Sequence, residues 1–372
     1  MADFCWGLQN QGVFVQVVCA DASYLGPSDS GPNNEPVDRS LQLKGDFARG
    51  VRQITDPAAC AAIDRWNHNQ LNRLLLERWD GVLVGNLDLL GPELLPPLLQ
   101  HGCPVVHHVG FMQAPYHPSA FPRSERYRMV AASNAVRESL VQQGLPVAQQ
   151  PVVYPGARTS LFGAEATGRP LPAPLNSEQR LHHRLGSIQN PLRLCYAGLI
   201  MTSKGAHTLL EAITLLRQRE IHCTAMLAGS EFQSSYADAL KQGIRQCGLA
   251  DVVLFTGSLN RQQLSRMFGL HHVGVFPSIY PEAFGIVGAE MQASGIALVS
   301  SGVGGAKELV SHGNTGLLFE AGNSSSLADA LQHLANDPFL LQRIARNGQQ
   351  QVREQFSVDA SSKTLSKLLL NL

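Results

Sequence analysis

Glu282 and Glu290 stand eight positions apart, in a stretch that leaves an apolar run, turns on Pro277 and Pro281 and enters helix-period sequence near Gly285. A helix beginning at such a turn leaves its first amide groups without intrahelical partners and presents the positive end of its dipole. That is an anion site, suited to phosphate. One carboxylate beside it can accept sugar hydroxyls while the other accepts a ribose diol. The ordinary alternative is that both carboxylates are solvated, Glu282 acting as a favourable charge at a helix start. Lys204 raises the same question with the opposite sign. Tyr196-Ala197-Gly198-Leu199-Ile200-Met201-Thr202-Ser203-Lys204-Gly205 leaves a strand-like run and places the lysine at the start of the next helix. A cation gains nothing from that end of the dipole, so it makes sense where it meets an anion, with a solvated lysine as the alternative. Gly229, just after the run 222–228, either lets another backbone approach a ligand or is a plain turn glycine.

The elements that must hold these residues alternate between two periods. Apolar, β-branched runs at 192–197, 222–228, 252–255, 273–276, 296–300 and 316–319 read as strands. Helical patterns lie between them at 235–246, 261–268, 285–294, 306–310 and 326–334, and Ala206, Leu209, Leu210, Ile213 and Leu216 mark one face of another helix. Such alternation means βα units on a parallel sheet, with ligand chemistry at the carboxyl ends of the strands. The first half repeats the rhythm less regularly, with strand candidates at 13–19, 81–84, 104–107, 129–132 and 152–154. The expected architecture is therefore α/β with two doubly wound, Rossmann-like domains: 1–163, a Pro-rich polar linker at 164–190, 191–355, and a final helix at 356–372. Residues 26–34 have loop composition. Residues 2–12 read as the end of a helix closed by Gly12. The first strand and glycine-rich loop usual in such a domain are missing ahead of residue 13, as if the natural chain begins late or its start has been assigned too far downstream.

Composition narrows the function. The 372 residues exceed one ordinary core, and 44% apolar with 16% charged content is that of a globular chain without a membrane-spanning run. Lys+Arg and Asp+Glu both number 29, so no global positive field exists to hold nucleic acid. Seven widely spaced cysteines, an odd number without C-x-x-C, read as reduced, buried thiols of a cytosolic protein. No secretory signal is visible. No G-x-G-x-x-G follows an early strand, which disfavours a nicotinamide-dependent oxidoreductase.

Taken in order, Tyr196-Ala197-Gly198 with Lys204-Gly205, Leu227-Ala228-Gly229, Val253-Leu254-Phe255-Thr256-Gly257, Pro281-Glu282-Ala283-Phe284-Gly285 with Glu290, Val303-Gly304-Gly305 and Gly313-Asn314-Thr315-Gly316-Leu317-Leu318 resemble the retaining glycosyltransferases of family 4, which have the GT-B fold. Glu282 to Glu290 matches that family's E-x7-E motif. The likeness is strong over residues 192–334, and Ser133-Asn134-Ala135-Val136 and Val153-Tyr154-Pro155-Gly156 extend it more weakly into the first domain.

The resemblance implies two Rossmann-like domains facing across a cleft, a UDP- or GDP-linked sugar held mainly by the second, and a glycan or lipid-linked acceptor on the first. It implies that Glu290 binds the ribose hydroxyls, Glu282 the donor sugar or its phosphate edge, and Lys204 the diphosphate. The loops carrying Gly198 and Gly229, and backbone groups along Ala283, Phe284, Gly285, Ile286 and Val287, belong to the same donor site, with Thr256 and Gly257 near the base. The catalytic set implied is Glu282, Lys204 and His108. No cofactor is implied, and the lack of a D-x-D motif agrees with the family's usual metal independence. Membrane contact is at most peripheral, at the inner face. Leu199 stands where the family commonly has arginine, and Gly110 aligns with the family's N-domain histidine, leaving His107 or His108 as a substitute. A buried structural histidine is the alternative for either. These departures, with the missing first strand, motivate a second reading: a nucleotide-sugar-binding protein that has lost transfer.

Overall fold

A computed structural model describes residues 1–20, 29–46, 52–85, 87, 89–163 and 185–370. The chain forms two compact units, Met1–Pro155 with Val358–Leu372, and Gly156–Ser357. This division differs from the sequence expectation in that the change falls at Pro155 and the final helix is part of the first unit. Residues 164–184 of the expected linker and 26–28 of the expected loop lie outside the described residues.

The first unit opens with α1 (Ala2–Gln9), after which Gly12 takes a left-handed φ of 79° and its N–H donates to the Gln9 carbonyl at 2.9 Å. No strand precedes β1 (Val17–Ala20) among the described residues. β1 pairs in parallel with β2 (Val37–Leu41), and β3 (Gly45–Asp46) pairs antiparallel with β4 (Arg52–Gln53). Then follow α2 (Pro57–Leu74), capped by the Asp56 carboxylate, β5 (Val82–Val84), α3 (Leu95–His101), β6 (Val105–Val109), β7 (Tyr127–Ala131) and α4 (Asn134–Gln142). β5, β6 and β7 lie side by side in parallel, and every residue of β6 is buried. A strand covered on both faces reads as a continuous apolar run. β6 carries two histidines in that run, so both need internal partners. Helix Val358–Leu370 returns to this unit and packs on α1 and β6, joining Leu365 and Leu368 to Phe4, Val106, Val130 and Val153.

The second unit begins with α5 (Thr159–Phe162) and continues β8 (Leu192–Ala197), α6 (Ala206–Gln218), β9 (Cys223–Ala228), α7 (Ser234–Gln246), β10 (Val253–Gly257), α8 (Arg261–Gly269), β11 (Val273–Phe276), α9 (Ile286–Ala293), β12 (Ala297–Ser300), β13 (Leu317–Leu318), α10 (Ser324–Asn336) and α11 (Pro338–Gln355). Among the described residues its sheet has six strands, all parallel, in the order β10-β9-β8-β11-β12-β13. Ala206, Leu209, Leu210, Ile213 and Leu216 of α6 are all buried, as their spacing predicts. Each buried leucine or isoleucine contributes about 1.5–3 kcal/mol relative to exposure. The segment expected as a helix at 306–310 is instead a five-residue 3-10 turn, Gly305–Leu309. A piece this short, entered through Gly304 and Gly305, does not offset the cost of nucleating an α-helix.

Counted from β8, the sheet order is 3-2-1-4-5-6, and winding reverses between β8 and β11. In open α/β sheets ligands bind at such a switch point, outside the carboxyl ends of the two strands. The loops that leave those ends are 198–205 and 277–285, which carry Lys204 and Glu282. None of the seven cysteines is in a disulfide, and five are buried; Cys60 is half-buried and Cys247 exposed. Burial pushes the Cys223 thiol up to about 12, so it stays protonated.

Candidate functional site

The two switch-point loops are stitched together by their backbones. Ile279 N–H donates to the Ser203 carbonyl at 2.9 Å. Gly205 has φ 68°, and a Cβ there would overlap the Pro277 carbonyl. Any side chain at Gly205 is thus opposed by its own backbone conformation and by the neighbouring loop. Gly205→Ala should destabilise the second unit by about 1–3 kcal/mol; urea unfolding would measure it, and an unchanged midpoint would refute the close approach. The neighbouring strand ends are linked in the same way, Gly198 N–H to the Ala228 carbonyl and Gly229 N–H to the Gly257 carbonyl, both at 2.9 Å. A Cβ on Gly229 would run into the Gly198 carbonyl. The Tyr196 hydroxyl, buried beneath, donates to the Leu199 carbonyl at 2.9 Å and fixes the loop from inside. Burial raises the Tyr196 pKa, with Tyr236 and Glu282 adding to the effect, so the hydroxyl remains a donor.

Lys204 sits at the end of a short 3-10 turn, Thr202–Lys204, two residues ahead of α6. Its Nζ lies 2.6 Å from Oε1 of Glu282, and the Ser278 hydroxyl donates to the same oxygen in a short hydrogen bond. Glu282 is also pinned by its backbone: its N–H donates to the Val303 carbonyl at 3.3 Å, and Gly305 N–H donates to the Glu282 carbonyl at 2.7 Å. Gly304, at φ 62°, lets these two chains approach, since a Cβ there would meet the backbone of Glu282. Three residues further on, α9 starts from Gly285 at φ 100° with no side-chain cap. The amide groups of its first turn are therefore left to the crevice or its contents.

Glu290 is 5% exposed, one turn inside α9. Its Oε1 accepts from Arg261 Nη2 at 2.7 Å. Each carboxylate thus meets a cation from a different element. Arg261 was not singled out in the sequence, because nothing in the spacing of 261 and 290 announces a contact between two separate helices. Of the other expected donor-site residues, Phe284 is 2% exposed and packs its ring 5.5 Å from Phe356, so only its backbone is available to a ligand. Ile286 is half exposed, and Ala283 and Val287 flank the same helix start. Thr256 and Gly257 end β10; the Thr256 hydroxyl donates to the Gly257 carbonyl at 3.1 Å, and the space a Cβ would enter at Gly257 is open. Leu199 is 38% exposed.

His108 lies in β6 of the first unit, 6% exposed, with Nε2 2.8 Å from the Val153 carbonyl and Phe4 edge-on at 4.9 Å. A carbonyl only accepts, so this nitrogen carries the proton. His107 is 1% exposed, with Nδ1 2.8 Å from the Tyr127 hydroxyl, which in turn meets the Tyr116 hydroxyl at 2.6 Å. Burial pushes His107 down to about 3 and His108 down to about 4, the neighbouring His108 adding to the shift of His107. The cavity they line with Gly85 and Gly110 is about 10 Å³, room for a single water. β6 is covered on both faces, so alternation turns the two histidines to opposite sides and buries both, as the alternative of a structural histidine expects.

A parallel sheet of this order with cation and carboxylate at its switch point, preceded by a second parallel α/β unit, defines a GT-B glycosyltransferase fold. Residues 177–351 match the family model described as glycosyl transferases group 1. It is similar to the GDP-mannose-dependent alpha-(1-6)-phosphatidylinositol monomannoside mannosyltransferase of Mycobacterium tuberculosis, 28% identical over 271 residues that cover 71% of this chain and 67% of that protein. It is 31% identical over 201 residues to the D-inositol 3-phosphate glycosyltransferase of Streptomyces avermitilis, covering 52% of this chain and 41% of that one. Its fold matches the crystal structure of Anabaena HepE in complex with UDP at a TM-score of 0.73 and 19% identity, over 100% of this chain and 96% of that one.

Proposed function

We propose that this chain transfers a hexose, with retention of configuration, from a UDP- or GDP-linked donor to a glycan or lipid-linked acceptor. The observation that carries the proposal is the Lys204–Glu282 pair at the switch point, beside the uncapped start of α9. In this reading the diphosphate lies along the first turn of α9 and draws Lys204 from Glu282, since it offers more negative charge than one carboxylate. Glu282 then accepts hydroxyls of the donor sugar, and Glu290 those of the ribose. The bond from the anomeric carbon to the diphosphate oxygen breaks as the acceptor hydroxyl adds on the same face, and its proton passes to the departing phosphate oxygen. Catalysis is chiefly stabilisation of the leaving group's charge by Lys204 and the amides of Gly285, Ile286 and Val287.

The named relatives are transferring enzymes, which favours transfer over the binding-only alternative. The mannosyltransferase is named for GDP-mannose and HepE was crystallised with UDP, so both nucleotide series deserve testing. Among the described residues no helix is long and apolar enough to cross a membrane; for a lipid-linked acceptor the proposed contact is peripheral, at the cytoplasmic face. Transfer is proposed to need no metal and should survive EDTA.

The test is a thermal-shift panel with UDP, GDP, ADP and their sugars, followed by product analysis. A nucleotide at a hundred times its Kd should stabilise by about 2.7 kcal/mol, a shift of about 2–4 °C. The expected result is a response confined to one nucleotide series and unaffected by EDTA. No response to any of them would overturn the proposal.

A further inference from the structure

Arg261 is the first residue of α8, where a cation is unfavourably placed against the helix dipole. Its helix cap, a ring beneath it and a carboxylate at its tip nevertheless hold it there. At its base, Asn260 and Gln263 form a reciprocal cap, each side chain accepting from the other's backbone N–H at 2.9 Å. Beneath it, the guanidinium carbon lies 5.5 Å from the centre of the Phe162 ring. At its tip, Nη2 meets Oε1 of Glu290 at 2.7 Å. Phe162 is itself fixed: it is fully buried, 6.0 Å from Phe268, and the Ser265 hydroxyl donates to the adjoining Leu161 carbonyl at 2.6 Å, tying α5 to α8. The Arg261 side chain still keeps 37% of its exposure while Glu290 has 6%.

A carboxylate as buried as Glu290 gives up the solvation of its charge, and a hydrogen-bonded cation offsets that cost. The cation also settles direction, since holding Oε1 fixes the rotation of the carboxylate about its last bond. Arg261 therefore does for Glu290 what Lys204 and Ser278 do for Glu282.

We infer that Arg261 is a positioning residue for the donor's ribose: it holds Glu290 and aims it at the 2′ and 3′ hydroxyls, on a platform made by Phe162. This rests on the proposed reading that Glu290 faces the ribose. The probes are UDP, GDP and ADP, each beside its 2′-deoxy counterpart, with affinity measured by calorimetry on the full chain. The wild-type protein should prefer the ribonucleotide by about tenfold or more, the value of a hydrogen bond to a charged group. Glu290→Gln and Arg261→Ala should both bring that preference close to one. Arg261→Lys, which keeps the charge but loses the planar fork, should retain part of it. With a sugar donor, Arg261→Ala should raise KM and change kcat little.

The outcomes separate the two claims. If the wild-type chain binds no nucleotide, or if Glu290→Gln leaves the ribose preference intact, the reading of the site fails and this inference with it. If Glu290→Gln abolishes the preference and Arg261→Ala does not, the inference alone fails. A purely structural arginine would weaken ribo- and deoxyribonucleotides equally, leaving the ratio unchanged, and that result also overturns it. Should Arg261→Ala not fold, the ratio in Arg261→Lys decides: a wild-type value refutes the role and a reduced one supports it.

Discussion

Lys204→Ala should lower kcat for transfer by about 10²–10³-fold, the loss seen when one preorganised stabiliser of developing charge is removed from a site. The effect is expected to be large because the chain has little in reserve. In the proposed reading Leu199 stands where an arginine would supply a second cation, leaving the diphosphate's charge to Lys204 and the amides at the start of α9. Stability should change little. The Lys204 side chain is 30% exposed, so the ion pair is partly screened and worth about 1 kcal/mol or less, and Glu282 keeps its bond to Ser278. Leu199→Arg in the Lys204→Ala background should recover part of the rate, since Leu199 is 38% exposed and a longer side chain has room to extend. Steady-state kinetics with the donor found in the nucleotide panel would decide. A Lys204→Ala enzyme within twofold of the wild type would remove this lysine from the chemistry.

The first unit should lose stability steeply in mild acid, by about 2 kcal/mol for each of His107 and His108 between pH 7 and pH 5. The direction follows from which state binds more protons. Both rings are held neutral in the fold, their pKa values pushed down to about 3 and about 4 by burial, while in the unfolded chain they titrate near 6.5. Above that value both states are neutral and nothing is lost. As pH falls below it the unfolded chain takes up protons that the folded one refuses, and the penalty grows until the folded values are reached. The readout is convenient, because Trp6, Trp66 and Trp79, all the tryptophans of the chain, lie in the first unit. Denaturant midpoints followed by tryptophan emission should fall from pH 7 to pH 5. His108→Gln, which can still donate to the Val153 carbonyl, should make that fall shallower. A midpoint unchanged across this range would contradict the burial of both rings.

The second unit was legible where short apolar runs alternate with helix-period segments. The run 192–197 coincides with β8 and 273–276 with β11, and β9, β10 and β12 lie within about two residues of expectation, because strands buried on both faces are continuous in sequence. Strand order was not legible. That β8 sits beside β11, bringing Lys204 to Glu282 across 78 residues, follows from the handedness and packing of the crossovers, which leave no mark in any local pattern. Glu290 could be named, but not its cation, since Arg261 reaches it from another helix. In the first unit Val37–Leu41 escaped notice because Asp38, Arg39 and Ser40 break the apolar signal of an edge strand. Nor could the sequence show the internal partners of His107 and His108, since polar side chains in a buried strand and site residues look alike until those partners are seen.

The first unit is made of two stretches of chain that are far apart in sequence, Met1–Pro155 and the helix from Val358 onward. Synthesis runs from the amino end, so the partner surface for Phe4, Val106 and Val153 is made only after the whole second unit. The second unit, begun later, lies in one continuous stretch and can close first. The nascent first unit must wait with an apolar face uncovered for the time needed to make about 200 residues, roughly 10–40 s at bacterial or eukaryotic rates. Chaperone dependence and proteolytic sensitivity during production should therefore concentrate in the half that is synthesised earliest.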